Sequence, residues 1–358
     1  MIAPRPVHPA DDPPLLSVEL TNICNLHCSY CLRDDEALYH TPAHYFPPAL
    51  LRRIIKEARE VYGITQVSFT GGEVTIHPDF KEIIEVVAAE GLKASFVTNG
   101  WHFDRVYRVL LANRETVGTI AFSIDGATRE AHDRWRGTGS FDRVIRAVAR
   151  CYLHRIPFSF KVAVRRDTVP CLEQIAMLGA RLGAVGVHFS HLLPTSSVLE
   201  DEWALSPDER KSAEQEVIAL SNIFKMQVGM CVGFEDLDPS PPCSFLRMTS
   251  CNVDYRGRLT LCCNLAGYRG AADESDVVAD LTREDFAAGY ARLRRLAEAQ
   301  VERRRKALAA LAESGQEVDI YTGSPCLFCL QSFGKIPWRA GDRAASRSLP
   351  VLAGIPVA

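Results

Sequence analysis

The sequence has no run of apolar residues long enough to span a bilayer; about eighteen uncharged apolar residues in a row are needed, and none occurs. Its first residues, MIAPRPVHPADDPP, are rich in proline and carry acids, so the apolar stretch of a secretion signal is missing. Charge of one sign is scarce too. The 41 Lys and Arg against 44 Asp and Glu leave a formal net charge of -3, which implies no overall pull toward nucleic acid or an anionic membrane. No internal repeat is seen. These absences lead to the expectation of a cytoplasmic protein with no nucleic-acid or membrane partner.

What remains is ordinary in bulk and unusual in one residue type. Hydrophobic residues make up 47% and charged residues 24% of 358 positions, enough for one large barrel or two modules with a sizeable core. Twelve cysteines are present. In a reducing compartment they argue for metal sites over a disulfide framework. Cys24, Cys28 and Cys31 crowd near one end, and Cys243, Cys251, Cys262, Cys263, Cys326 and Cys329 near the other. Cys151, Cys171 and Cys231 stand alone and read as small buried apolar residues.

From about 15 to 200, apolar runs alternate with helical patterns. Strands are expected at 15–22, 66–72, 93–100, 116–126, 157–166 and 185–194, and helices at 48–63, 78–91, 103–114, 140–155 and 169–183. Strands that alternate with helices imply a parallel sheet with right-handed crossovers; periodicity leaves open whether it is doubly wound or a barrel. SPDERKSAEQEVIALSN has a Ser cap and a Pro at the first helical position. TSCNVDYRGRLTLCC (249–263) reads as a hairpin around a Gly-containing turn. Residues 283–313 read as a solvated helix whose basic run ERRRKA is a charged face.

Cys24-Asn-Leu-His-Cys28-Ser-Tyr-Cys31 places three thiols within one short segment just after a strand. Such sets bind zinc or iron–sulfur. Zinc needs a fourth ligand, for which His27 or His40 is available; a four-iron cluster can leave one iron open to a small molecule.

The segment resembles the C-x3-C-x2-C signature of radical S-adenosylmethionine (radical SAM) enzymes, including the aromatic Tyr30 before the last Cys. The resemblance implies an α/β fold: a partial (β/α)6 TIM-like barrel, in which Cys24, Cys28 and Cys31 ligate a [4Fe-4S] cluster binding S-adenosyl-L-methionine (SAM). One-electron cleavage of SAM would then yield a 5′-deoxyadenosyl radical that abstracts hydrogen from substrate. TGGE matches the family's GGE motif, so Gly71, Gly72 and Glu73 are expected at the cofactor, with Glu73 accepting from the methionyl ammonium. Asn99 and Ser123, where strands three and four end, are candidates for ribose or methionyl contacts; the competing reading is plain Asn-Gly and Asp-Gly turn chemistry. HDRWRG matches a stretch after strand four and makes Arg136 a cofactor candidate, or else an exposed structural Arg. Leu193 and Pro194 are a weaker candidate for an adenine wall.

The C-terminal pattern C243-x13-G257-x4-C262 with C326-x2-C329 resembles the auxiliary-cluster domains called SPASM and Twitch. No Cys follows Cys329, which favours the one-cluster Twitch form: one auxiliary [4Fe-4S] cluster held by Cys243, Cys262, Cys326 and Cys329. Cys263 is the alternative to Cys262, since neighbours on a strand face opposite ways, and Cys251 is read as packed. The expected organisation is a tail at 1–14, a radical SAM core at 15–200, a connector at 201–240, a small hairpin-plus-helix iron–sulfur domain at 241–340 and a tail at 341–358.

The function expected is a radical SAM oxidoreductase or maturase, fed by a flavodoxin- or ferredoxin-type donor. It would oxidise, or form C–C or C–X bonds in, a small metabolite or a ribosomally made peptide. Only 23 residues precede Cys24, which leaves no room for a leader-binding domain there and weakens the peptide reading. The chain ends GIPVA, without the Gly-Gly tail and late Cys of molybdenum-cofactor cyclases. The alternative is a zinc-stabilised α/β barrel acting as a binding or scaffold protein.

Overall fold

The computed structural model describes residues 14–33, 41–195, 203–268 and 275–336. The expected C-terminal tail, residues 1–13 of the N-terminal one, and His40 lie outside the described residues.

Seven parallel strands cross one sheet in chain order: β1 (Leu15–Thr21), β2 (Gln66–Gly71), β3 (Lys93–Thr98), β4 (Val117–Ser123), β5 (Phe158–Val164), β6 (Gly186–His191) and β7 (Gln227–Val232). Between them run α1 (Pro48–Tyr62), α2 (Phe80–Ala89), α3 (Phe103–Ala112), α4 (Arg129–Arg136), α5 (Ser140–Leu153), α6 (Leu172–Leu182) and α7 (Pro207–Ile223). A doubly wound sheet reverses its strand order at a switch point. This order runs straight through, which is barrel winding, and so decides what periodicity left open.

Each element follows from local rules. Helix α1 starts with Pro48 at its first position and stops at Gly63, whose φ of 71° suits glycine. Its buried face is Leu51, Ile54, Ile55 and Ala58; burying each of the larger ones is worth roughly 1.5–3 kcal/mol. Helix α7 carries a full capping box between Ser206 and Glu209. Strand β5 alternates: Phe158, Phe160, Val162 and Val164 are buried in the apolar core with the helices, which leaves Ser159, Lys161 and Ala163 for the inner face. Strand β1 does the same, with Leu16, Val18 and Leu20 in the core and Ser17, Glu19 and Thr21 inward. The result is a polar lumen inside an apolar jacket.

Two features of the sheet differ from expectation. Strand β7 lies within the expected connector and pairs in parallel with β6, giving seven strands where six were expected; its small, weakly alternating residues (QVGMCV) hide it. The C-terminal hairpin also continues the sheet. Strand β8 (Ser250–Val253) pairs in parallel with β1, β9 (Arg258–Thr260) turns back around Gly257 (φ 85°), and β10 (Val277–Asp280) adds an unexpected antiparallel edge. The boundaries expected at 200 and 240 therefore do not fall at breaks in the sheet.

Short α8 (Cys263–Ala266) follows the hairpin, and α9 (Phe286–Ser314) lies against α1. There the Phe286 N–H donates to Glu57 Oε2 at 2.8 Å, and the Tyr62 and Tyr290 rings meet at 5.0 Å. The basic run in α9 is only partly a solvated face. Arg304 is buried and donates to the carbonyls of Asp236, Asp238 and Gly323, tying α9 to α10 (Ile320–Gly323), just before α11 (Pro325–Ser332). No described helix is long and apolar enough to cross a membrane.

Candidate functional site

Cys24, Cys28 and Cys31 occupy one loop at the C-terminal end of β1, each partly buried. Asn22 anchors its start: Nδ2 donates to Thr41 Oγ1 (3.0 Å) and the Pro42 carbonyl (3.1 Å), and Oδ1 accepts from the His44 N–H (2.8 Å). The Cys31 N–H closes a turn on the Cys28 carbonyl at 2.9 Å. Burial, then the Glu73 carboxylate and the other two thiols, push Cys24 up to about 12. Burial also raises Cys28, against the pull of Arg136. Such thiols are poor thiolates until something positive sits among them. At the loop's end Arg33 reaches back to Glu19 at 2.6 Å.

The ends of β2 and β3 meet this loop. A Cβ on Gly71 (φ 119°) would stand 2.4 Å from the Thr21 carbonyl oxygen, and one on Gly72 1.7 Å from that of Ile23. The glycines therefore let β2 close on the backbone entering the cysteine loop. Gly72→Ala is expected to cost about 3 kcal/mol or more by overpacking, read as a lower denaturation midpoint. Glu73 is buried; Oε1 accepts from the Thr75 N–H (3.0 Å) and the hydroxyls of Thr75 and Thr98 (both 2.6 Å), and Oε2 from the Asn99 N–H (2.7 Å). That leaves room chiefly at Oε2. The Asn99 amide lies 3.7 Å from Cys24 Sγ and donates to Asn25 Oδ1 at 3.0 Å, so it is more than a turn former. Ser123 ends β4, partly exposed.

Asp125 is likewise no simple turn residue. Fully buried, it accepts from the Tyr30 hydroxyl, from Arg136 Nε and, at 3.1 Å, from the Ala163 N–H; Arg165 Nη1 lies 3.4 Å away. Burial alone would raise its pKa, but Arg136 and Arg165 outweigh it and hold the carboxyl well below the usual range. The Arg165 guanidinium stacks over Trp135 at 4.1 Å and Tyr30 at 5.0 Å. Arg136 is thus a buried, paired residue and not an exposed one. Leu193, offered as an adenine wall, is buried in the main core, and the Pro194 carbonyl accepts the Tyr268 hydroxyl.

Behind Asp125 sits His132, fully buried, its Nδ1 accepting the Asp125 N–H at 3.2 Å. Burial, aided by Arg136, pushes its pKa down to about 4 from 6.5. The unfolded chain thus binds one more proton between those values, and stability present above pH 6.5 is lost as pH falls toward 4. Denaturation midpoints should therefore drop over that window with a slope of about 1.4 kcal/mol per pH unit, and His132→Leu should flatten it.

The C-terminal cysteines gather beside the barrel mouth. The Cys243 thiol contributes to the raised pKa of Cys262, Cys326 and Cys329, behind burial and, for Cys262, behind its contact with Cys263. Cys326 and Cys329 enter on α11, capped by Ser324 with Pro325 at its first position. Gln300 Nε2 lies 3.5 Å from Cys329 Sγ. Cys263 contacts Cys262 and acts on Cys243, and it also feels Glu19, Lys161 and Arg33. Cys251 and Cys151 are buried in the core as expected. Cys231 is not a plain apolar residue: its sulfur is 2.9 Å from Ser190 Oγ and 3.5 Å from Lys161 Nζ.

Residues 18–178 match the Radical SAM superfamily. The chain carries a radical SAM domain. It is 33% identical over 213 residues to the mycofactocin maturase MftC of Mycobacterium tuberculosis, covering 58% of this chain and 51% of that protein. It is 30% identical over 186 residues to the AdoMet-dependent heme synthase of Oleidesulfovibrio alaskensis, covering 51% of this chain and 46% of that protein. The chain thus spans about half the length of these curated relatives. Streptococcus suis SuiB, solved bound to S-adenosylmethionine, superposes with a TM-score of 0.63 at 12% identity over 78% of this chain and 65% of that one; bound to its precursor peptide SuiA the score is 0.62. The likeness to SuiB shows the fold.

Radical SAM domains bind a [4Fe-4S] cluster with SAM. The residues present fit that group. Three soft sulfur donors share one loop, and the buried Asn25 Nδ2 beside them lacks a hydrogen-bond partner. Among the described residues no three His, Cys, Asp or Glu side chains gather tightly enough for a single ion; a cubane spreads its sulfur ligands over separate irons.

Proposed function

We propose that the protein is a radical SAM maturase that modifies a ribosomally made peptide. The observation that carries this is the set of Cys24, Cys28 and Cys31 at the mouth of a polar barrel lumen, with four further cysteines gathered beside it. In this reading Cys24, Cys28 and Cys31 hold the catalytic [4Fe-4S] cluster, and Cys243, Cys262, Cys326 and Cys329 an auxiliary one. Cys263, next to Cys262 and also acting on Cys243, remains the alternative fourth ligand.

When bound, the cluster and SAM together supply one-electron cleavage of the sulfonium and removal of a hydrogen atom from substrate. The chain's own residues position and shield. Gly71 and Gly72 let β2 close on the cysteine loop, the free side of Glu73 Oε2 takes the methionyl ammonium, and Asn99 and Ser123 contact the rest of SAM. Arg136 screens Cys28 while pinned by Asp125. A flavodoxin- or ferredoxin-type protein delivers the electron. The peptide class is supported by the names of MftC, a maturase, and of SuiB bound to a precursor peptide; the heme synthase relative supports a small-metabolite substrate as second reading.

The test is anaerobic purification of the full chain. Iron and acid-labile sulfide in equal amounts, a brown absorbance, and 5′-deoxyadenosine release from SAM on reduction are expected. Zinc without sulfide would instead mark a structural barrel without redox chemistry.

A further inference from the structure

The lumen holds a cation that the proposed cluster and SAM ligands leave unused. Lys161 stands on the inner face of β5, partly buried, in register with Ser123 on β4 and His188 on β6. Its Nζ donates to Cys231 Sγ at 3.5 Å. Among the described residues no carboxylate lies within ion-pair reach of it, unlike Lys335, which sits 2.9 Å from Asp276. A buried or half-buried ammonium without an anion is costly. Cys231 gives it a sulfur partner, and a carboxylate would be a stronger one.

Opposite in sign, Glu19 stands on the inner face of β1, fully buried. Arg33 neutralises it, Nη2 lying 2.6 Å from Oε2, and the Tyr255 backbone adds a further hydrogen bond. A carboxylate has about four acceptor sites, so these partners leave Glu19 with acceptor capacity to spare, chiefly at Oε1. Glu19 on β1 and Lys161 on β5 both stand on inward-facing positions, so the cation and the acceptor line the same barrel interior. Helices pack against the outer face of the strands, which leaves the barrel interior as the place where both demands can be met.

We propose that Lys161 anchors a carboxylate of the substrate in the lumen while Glu19 accepts an N–H from the same molecule. The ligand class is a group bearing a carboxylate and an N–H donor, as amino acids and peptides do. This rests on the functional reading above and deepens it by assigning recognition to two residues outside the proposed cluster and SAM ligands.

The probe pair is glycylglycine and glycylglycinamide, which differ in the carboxylate, followed by saturation-transfer NMR on the reconstituted full chain with SAM. Glycylglycine should bind the wild type about 10-fold more tightly than the amide, the share of one charge-assisted hydrogen bond. Lys161→Gln should bring the two probes level. Lys161→Arg, which keeps the charge, should preserve the difference and keeps the test informative if the Gln variant does not fold. Lys81→Gln, at an exposed site, should change nothing. No glycylglycine signal in the wild type, equal binding of both probes, or an unaltered preference in Lys161→Gln overturns the proposal. So does a loss of SAM affinity in Lys161→Gln as large as that for the dipeptide, which would assign the lysine to the cofactor. Deoxyadenosine release is measured on the same samples. If it persists while the dipeptides are not told apart, the anchor alone falls; if the wild type releases none, the functional reading falls with it.

Discussion

A Cys28→Ala chain is expected to lose its N-terminal cluster and release no 5′-deoxyadenosine from SAM, whereas Cys329→Ala should keep that release and lose turnover of the true substrate. The asymmetry follows from place. Cys28 is one of three sulfurs in a single loop, and two thiols cannot hold what three hold. The drop should exceed the roughly 100-fold seen when a mere supporting partner of a metal ligand is removed. Cys329 lies on α11 among Cys243 and Cys326, so its loss should empty only the auxiliary site. Iron and sulfide analysis of both variants, beside deoxyadenosine release, makes the comparison. Normal release by Cys28→Ala would refute the assignment of the loop.

Much of this was legible in the sequence because its signals are local. The strand–helix rhythm from 15 to 200, the cysteine loop after β1, the hairpin around Gly257 and the capped start of α7 each depend on residues within a few positions of one another. What stayed hidden depends on long-range neighbours. Strand alternation puts Lys161 and Glu19 on inner faces, but no pattern says that Arg33 answers Glu19, or that Lys161 meets a sulfur from β7. Cys231 looked like core because a lone cysteine usually is. Asp125 looked like a turn former because Asp-Gly so often is one; its partners Tyr30, Arg136 and Arg165 come from three other segments.

Asp125→Asn carries the largest stability effect expected in the molecule, about 3–5 kcal/mol. The amide keeps the shape of the carboxylate and removes its charge, so the cost isolates electrostatics. Arg165 is wholly buried and the Arg136 side chain 12% exposed; without the anion two guanidiniums face each other out of reach of bulk water. Asp167, 3.0 Å from Arg165 Nε, is itself partly exposed and relieves only one of them. The sign against pH can be checked too. A carboxyl held below its ordinary 3.8 contributes stability that is complete above that value and lost as pH falls through its folded pKa. Wild type should therefore weaken steeply in strong acid, and Asp125→Asn should be weaker at neutral pH with that acid slope diminished. Tyr30→Phe, which removes one hydroxyl donor, should cost only about 1 kcal/mol. Because Tyr30 sits between Cys28 and Cys31, Asp125→Asn should also loosen the loop: iron is lost first from the N-terminal site, with the C-terminal cysteines still loaded. Denaturant midpoints at several pH values, with iron counted per chain, test both halves. An Asp125→Asn protein within about 1 kcal/mol of wild type would mean that water reaches the two arginines and that the ion cluster does not pin the cysteine loop to the barrel.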